Sequence, residues 1–274
     1  MESNPRYAIV QMRSGSDVWE NLAMIDAFVN EAASMGATAV FFPENVLFRG
    51  PANLRETAIL SKGGEVYESL RALSESWKVS VFLGSVLEAA NNIERPYNST
   101  LRMGLGHMDF VYRKIHLFDY FGGRQVYRES AIVSPGDEVA CAQVDGCTVG
   151  LSICFDLRFP ELFRHLTLKG GAQVLSVPAA FTYETGLAHW HALLRARAIE
   201  NLAYVIAPGQ WGTHLDSDGG TRRCFGYSLV YSPWGDLIAE APSEGDQILL
   251  CDLDLKSQSE VRTKLPALSL AHLI

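Results

Sequence analysis

The hydrophobic positions of this chain switch repeatedly between two periods. Tyr7 to Met12 is a short apolar run that predicts a strand. After it Trp19, Leu22, Ile25, Phe28, Val29 and Ala32 recur at helical spacing until Gly36. "ATAVFFPEN" is a second apolar strand, cut off by Pro43, which leaves Glu44 at its carboxyl end. The unit then repeats, with Val66, Leu70, Leu73 and Trp77 on one helical stripe and an apolar strand from Val79 to Glu88. Beyond the loop "AANNIERPYN", two antiparallel strands are predicted at Ser99 to Met103 and His107 to Arg113, separated by Gly104 and Gly106.

"HLFDYFGGRQVYRESAIVSPGDE" has weak periodicity, and its aromatic content argues for an ordered, functional loop. A hairpin across Asp145 and Gly146 follows. Next come a helix from Arg158 to Lys169 with Phe159, Leu162, Phe163 and Leu166 inward, and the strand "AQVLSVPAAF". Ala188 to Asn201 predicts another helix, with Trp190, Leu193, Leu194 and Ala198 inward. "AYVIAPGQ" and the short tail strands "GYSLVYSP", "LIAEAP" and "QILLCDLD" close the pattern. Strands this apolar need cover on both faces, so the expected fold is a layered α/β domain spanning residues 1–274, with helices over the sheets. No GxGxxG follows the first strand and there is no P-loop, which lowers the case for a nucleotide cofactor.

Composition narrows the partners. The chain has 274 residues, 48% of them hydrophobic and 20% charged, as in an ordinary globular domain. Its formal net charge is -8 and no dense basic run occurs, so neither nucleic acid nor an anionic membrane is an expected partner. Five cysteines without CxxC pairing suit a reducing compartment, and a cytoplasmic protein is expected. No long apolar segment suggests secretion or membrane anchoring. The two histidines of "AHWHALL" have too few ligand-type neighbours for a metal site, and no metal is expected.

Ligands of open α/β sheets collect beyond the carboxyl ends of strands. The polar residues there are Glu44, Cys154 after "GLSI", and the segments following Val177 and Ala207. Taken singly, Cys154 reads as a small buried hydrophobe, Glu44 as a solvated loop carboxylate and Lys114 as a surface charge. Taken together they form a thiol nucleophile, a base to deprotonate it and a cation for an oxyanion.

The motifs "FFPEN", "YRKIHLFD" and "ICFDLRFPE" carry Glu44, Lys114 and Cys154 in that order, and with them the chain resembles the nitrilase, or carbon-nitrogen hydrolase, superfamily. The resemblance implies an αββα four-layer sandwich, association into a homodimer or higher homo-oligomer through helical faces, and no cofactor. It implies a small-molecule amide substrate, cleaved through a thioester on Cys154, with Glu44 as general base and Lys114 stabilising the oxyanion beside the backbone N–H that follows Cys154. Glu129 in "VYRES" takes the place of the family's additional carboxylate, with an orienting role near Lys114. "CFD" is nearer the amidase form "CYD" than the nitrilase form "CWE", so amides are favoured over nitriles.

"GLAHWHALLRARAIENLAYVIAPGQWG" is similar to the corresponding region of the branch that hydrolyses deaminated glutathione, a 2-oxo acid amide, with His191 where that branch has Glu. Phe155, Arg158, His189 and Arg195 are the candidate substrate contacts. An arginine here would pair with a substrate carboxylate, and Arg197 is a further arginine of the segment. The alternatives are an omega-amidase, an N-carbamoyl hydrolase, or a weakly catalytic interaction scaffold. An activated Cys154 is expected to alkylate with a pH profile below that of a free thiol.

Overall fold

Two sheets, each parallel at its centre and antiparallel at its flanks, stack face to face in the computed structural model, which describes residues 4–90, 95–122, 127–215 and 220–271. The predicted loops at 89–98 and 116–138 therefore extend outside the described residues at 91–94 and 123–126. In the first sheet the order is Gln247–Asp252, Arg6–Gln11, Ala39–Phe41, Ser80–Glu88, Tyr97–Gly104 and His107–Arg113. In the second it is Leu237–Glu240, Leu229–Tyr231, Tyr204–Ala207, Val174–Ser176, Cys147–Leu151 and Cys141–Val144.

The first strand is apolar throughout because both of its faces are covered. Tyr7 and Ile9 join the core between the sheets, whereas Ala8 and Val10 face a separate core with helix α1 (Val18–Ser34) and helix α2 (Glu65–Ser74). The next strand follows the same rule. Phe41 points between the sheets and stacks on Phe82 with ring centres 4.8 Å apart, while Val40 points to the helices. The hydroxyl of Tyr7 crosses to the second sheet and donates to the Val144 carbonyl at 2.9 Å. Helix α3 (Pro160–Leu168) and helix α4 (Tyr183–Asn201) cover the outer face of the second sheet, with Phe163, Leu166, Trp190 and Leu194 buried in its core. Helix, sheet, sheet and helix make the αββα sandwich that the resemblance implies.

Several boundaries differ from the sequence reading. The helix expected from Arg158 starts at Pro160, because residues 154–158 form a separate one-turn 3₁₀ helix. Helix α4 begins at Tyr183, a turn before the apolar stripe becomes visible. A hairpin of Trp211–Leu215 and Thr221–Phe225, polar along much of its length, lies outside both sheets and was not predicted. A last helix, α5 (Leu255–Lys264), follows the tail strands and is polar on most of its surface. None of the described helices is long and apolar enough to cross a membrane.

Candidate active site

Glu44 arrives from the first sheet. The chain turns after Phe41–Pro43 and is laid onto the neighbouring strand, with the Ser85 amide donating to the Pro43 carbonyl at 3.2 Å and the Val46 amide to the Ser85 carbonyl at 3.0 Å. The Asn45 amide donates to the Ser85 hydroxyl at 2.9 Å, and Asn45 itself takes a left-handed φ of 56°, which Asn tolerates better than most residues. Gly84 permits this approach. A Cβ there would stand 1.9 Å from the Phe42 carbonyl oxygen and 2.3 Å from the Pro178 Cβ of the opposite sheet.

Cys154 arrives from the second sheet, just beyond the end of Cys147–Leu151, with φ of 49°. For a residue with a Cβ that conformation costs about 1–2 kcal/mol, so the surroundings must enforce it. Two hydrogen bonds do so: the Cys154 amide donates to the Pro178 carbonyl at 2.8 Å, and the Ile153 amide donates to Asp156 Oδ2 at 2.8 Å. Because Cys154 and Phe155 open a 3₁₀ turn, their amides precede the first intrahelical bond, from Asp156 N to the Ile153 carbonyl. The Cys154 amide is committed to Pro178, and the Phe155 amide is the next donor of the turn.

The buried carboxylate of Asp156 also ties this turn to the lysine-bearing segment. Its Oδ2 accepts from the Tyr112 hydroxyl at 2.7 Å, and its Oδ1 meets the His116 amide at 3.0 Å and His116 Nδ1 at 2.7 Å. Tyr112 and His116 bracket Lys114, so the same side chain holds both approaches to the site. Sequence reading passed over Asp156, Tyr112 and His116; their presence inside the "YRKIHLFD" and "CFDLRF" motifs was the only signal available.

Lys114 follows the strand His107–Arg113 and is 1% exposed. Its ammonium donates to Glu44 Oε1 at 2.8 Å, to Glu129 Oε2 at 2.9 Å and to Glu129 Oε1 at 3.2 Å. Glu129 is fixed further by the Phe118 amide, which donates to its Oε2 at 2.6 Å. On the other side Glu44 Oε2 accepts from the Ala180 amide at 2.9 Å, and the Cys154 thiol shares the cleft with this carboxylate, close enough for each to shift the other's pKa. Glu44, Lys114, Cys154 and Glu129, more than a hundred residues apart at the extremes, therefore form one contact set.

The electrostatics assign the protons. Burial works against the Lys114 ammonium, but the Glu129 and Glu44 carboxylates outweigh it and hold its pKa well above the usual lysine value. Burial likewise disfavours the Glu44 carboxylate, yet the Lys114 charge and the hydrogen bonds from Lys114, Cys154 and Ala180 outweigh it and lower its pKa. For Cys154, burial and the adjacent Glu44 charge push the thiol well above the ordinary cysteine value, against the pull of Lys114. The resting pair is thus a carboxylate facing a neutral thiol. This corrects the expectation of an acid-shifted Cys154: a sulfur that touches a buried carboxylate ionises later than a free one, not earlier.

The cleft over Cys154 has a volume of about 30 Å³, enough for one or two waters, and Phe155 and Arg158 both line it, as expected for substrate contacts. Arg158 lies over the Phe155 and Phe181 rings at 5.7 and 5.4 Å and has no carboxylate partner among the described residues. His189 does not line the cleft: it is exposed on α4 and meets Arg158 through Nδ1 at 3.2 Å. Arg195 is a correction. Its guanidinium points from α4 to the Gly235 carbonyl at 2.9 Å, away from the cleft, because Leu194 and Ala198 occupy the buried face. Arg197 binds the Leu157 carbonyl at 2.7 and 3.1 Å, a packing role under the 3₁₀ turn. His191 pairs with Glu240 at the surface.

Outside the cleft, a vestibule of about 390 Å³ shares Phe118, Tyr127, Thr182, Thr185 and Arg222 with it. Arg222, stacked over the Tyr127 ring at 3.9 Å, comes from the hairpin that periodicity missed.

Known proteins of the same kind bear on this arrangement. The deaminated glutathione amidase of Yersinia enterocolitica is 35% identical over 97% of this chain and 92% of its own length. The human omega-amidase NIT2 is 33% identical over 95% of this chain and 92% of its own. Among solved structures, the C. elegans NitFhit protein superposes with a TM-score of 0.85 at 33% identity, covering 98% of this chain and 65% of that one. The carbon-nitrogen hydrolase family as a whole matches residues 6–263. With that match across almost all of its length, on a fold that brings Glu44, Lys114 and Cys154 together, the chain belongs to the carbon-nitrogen hydrolase family.

Proposed function

We propose that this amidohydrolase cleaves a linear amide of a 2-oxo dicarboxylic acid through a thioester on Cys154, with deaminated glutathione as the substrate that fits best. The observation that carries the chemistry is the Glu44 carboxylate, held between the Lys114 ammonium at 2.8 Å and the Cys154 thiol. Glu44 takes the thiol proton as Sγ attacks the amide carbon, so the thiolate forms only when its charge can pass to the substrate oxygen. The Lys114 ammonium and the Phe155 amide receive that oxyanion, each donor being worth on the order of 3 kcal/mol of barrier. Glu44 returns the proton to the departing nitrogen, the C–N bond breaks, and a thioester remains. Water, losing a proton to Glu44, attacks the thioester and releases the carboxylic acid and the thiol. Glu129 keeps Lys114 in place throughout.

Substrate class follows from shape and charge. Arg158, without a carboxylate partner of its own among the described residues, offers a planar fork for the carboxylate of a short acyl chain. The 390 Å³ vestibule beside the cleft gives room for a dipeptide-sized leaving group, which favours deaminated glutathione over an omega-amide that releases only ammonia. A reducing, cytoplasmic setting belongs to the same reading, supported by five free cysteines. So does a homo-oligomer, supported by exposed Ile199, Trp234, Leu237 and Ile238.

The test is a side-by-side assay of Cys-Gly release and ammonia release from the two amide types, with intact-mass detection of acid-quenched enzyme. Wild type should accumulate an acyl adduct on Cys154, and Cys154→Ala should fold, lose turnover and show no adduct. Normal turnover by folded Cys154→Ala would reject the assigned nucleophile; ammonia release outpacing Cys-Gly release would move the substrate to the omega-amide.

A further inference from the structure

One buried side chain touches both carboxylates of the site without belonging to the expected catalytic set. Asn98, on the strand Tyr97–Gly104 and 1% exposed, donates through the same Nδ2 to Glu44 Oε1 at 3.1 Å and to Glu129 Oε1 at 3.0 Å. An amide nitrogen has two hydrogens, so each carboxylate receives one. The same two oxygens accept from Lys114 Nζ at 2.8 and 3.2 Å. The four groups close a ring, and the backbone holds the two donors abreast, with the Lys114 amide donating to the Asn98 carbonyl at 2.8 Å. The amide can sit only one way round, since turning it over would set Oδ1 against two carboxylate oxygens. In the observed sense Oδ1 is buried without a protein partner among the described residues. Asn98 also lines a chamber of about 90 Å³ behind Glu129, roomy enough for water to meet that oxygen.

The arrangement answers a charge problem. Two carboxylates share one ammonium, and neighbouring carboxylates drive one of the pair to hold a proton. A neutral donor divided between them adds a hydrogen bond to the Glu44 carboxylate without placing a second cation on the thiol proton's acceptor. It also orients Glu44. With Oε1 occupied by Lys114 and Asn98, the remaining oxygen, Oε2, is left for the Ala180 amide and the sulfur side of the site. We propose that Asn98 is a positioning residue which, by dividing one amide between Glu44 and Glu129, keeps the Glu44 carboxylate ionised and turned toward Cys154; this rests on Glu44 being the base for that thiol. Facing Glu44 are Lys114, Cys154 and, across Asn98, Glu129; around Glu129 lie Lys114, Tyr127, Arg49, Arg55 and Arg222.

The experiment follows Cys154 alkylation by iodoacetamide, read by peptide mass spectrometry, and kcat and KM on the amide substrate, both across pH, in Asn98→Leu and Asn98→Asp full-length protein. For Asn98→Leu the Glu44 carboxylate loses a donor to its ionised form, so the acid limb should move up by about one pH unit, and at pH values below that limb alkylation should slow by about tenfold. kcat should fall with KM unchanged. In Asn98→Asp the introduced carboxyl donates only when protonated, so activity relative to wild type should recover as pH falls, which a loss of packing would not produce. A folded Asn98→Leu protein with wild-type alkylation rate and acid limb overturns the proposal. If neither variant folds, wild-type protein labelled with ¹⁵N-Asn decides: one side-chain amide should shift in both Glu44→Gln and Glu129→Gln, and no shared response overturns it. Because alkylation needs no amide turnover, a changed alkylation profile in a protein inactive on amides would sink the substrate assignment and leave the role of Asn98 standing.

Discussion

Lys114→Met keeps the length and volume of the side chain and removes its charge, which isolates what the ammonium does. It leaves Glu44 and Glu129, 3% and 5% exposed, joined by Asn98 alone. At the contact distances of 2.8 and 2.9 Å, each ammonium–carboxylate pair is worth about 6 kcal/mol of Coulomb energy at an effective dielectric of about 20. Desolvation of the lysine, which the variant no longer suffers, cancels much of this, so the expected loss of stability at neutral pH is about 3–5 kcal/mol. The sign with pH follows from which state binds protons. In wild type the Glu44 pKa is lowered, so its contribution is present above about 4.5 and fades as pH falls through the folded value. Without Lys114 the Glu44 carboxylate loses the charge that most favours its ionised form while its burial remains, so its folded pKa should rise above the ordinary value. A pKa raised in the folded state then contributes stability at low pH and loses it as pH rises, so the deficit against wild type widens from pH 5 to pH 8. Urea unfolding at both pH values measures it. A loss below about 1 kcal/mol, or one independent of pH, would show that the ammonium is not what holds the two carboxylates in place.

Other consequences are independent of that one. Gly84→Ala puts a methyl 1.9 Å from the Phe42 carbonyl and 2.3 Å from Pro178, and should cost about 3 kcal/mol in urea unfolding as the sheets separate beside Glu44; a loss under about 1 kcal/mol would refute that contact. Tyr112→Phe removes the donor 2.7 Å from buried Asp156, and should cost about 2 kcal/mol and lower kcat more than it raises KM; unchanged stability would remove Asp156 from the account of how the site is held. Arg158→Gln should raise KM for carboxylate-bearing amides by about tenfold or more while sparing a neutral short-chain amide; equal loss on both would assign Arg158 to the fold. With the Glu44 pKa below 4.5 and the Cys154 pKa above 9.0, kcat/KM should be flat between those limits wherever the protein stays folded, and a limb near neutrality in its pH profile would show a different base.

Much of the architecture was legible because period is a local property. Apolar runs at Tyr7–Met12 and Val79–Glu88, alternating with helical stripes, dictate strands covered on both sides; that the inner cover is a second sheet was implied by the family resemblance and not by the period. Strand ends are local too, so Glu44 and Cys154 could be singled out, and the motif order supplied Lys114 and Glu129. Where a polar stretch carries no period, as in the hairpin bearing Arg222, the chain was silent. On α4 the sequence showed His189, Arg195 and Arg197 within nine residues but not their directions, since Trp190 and Leu194 face the sheet core while the arginines reach different carbonyls.

Local pattern fixed the covered strands, their ends and the kinds of reactive group, and the family motifs supplied the four layers. Only the stacking of the two sheets decided that a carboxylate from residue 44, an amide from 98, an ammonium from 114, a carboxylate from 129 and a thiol from 154 would share one desolvated volume. Proton positions follow from that burial. In water Glu44 and Cys154 would titrate independently; inside the sandwich each is priced by its neighbours, which is why the base is ready and the thiol waits.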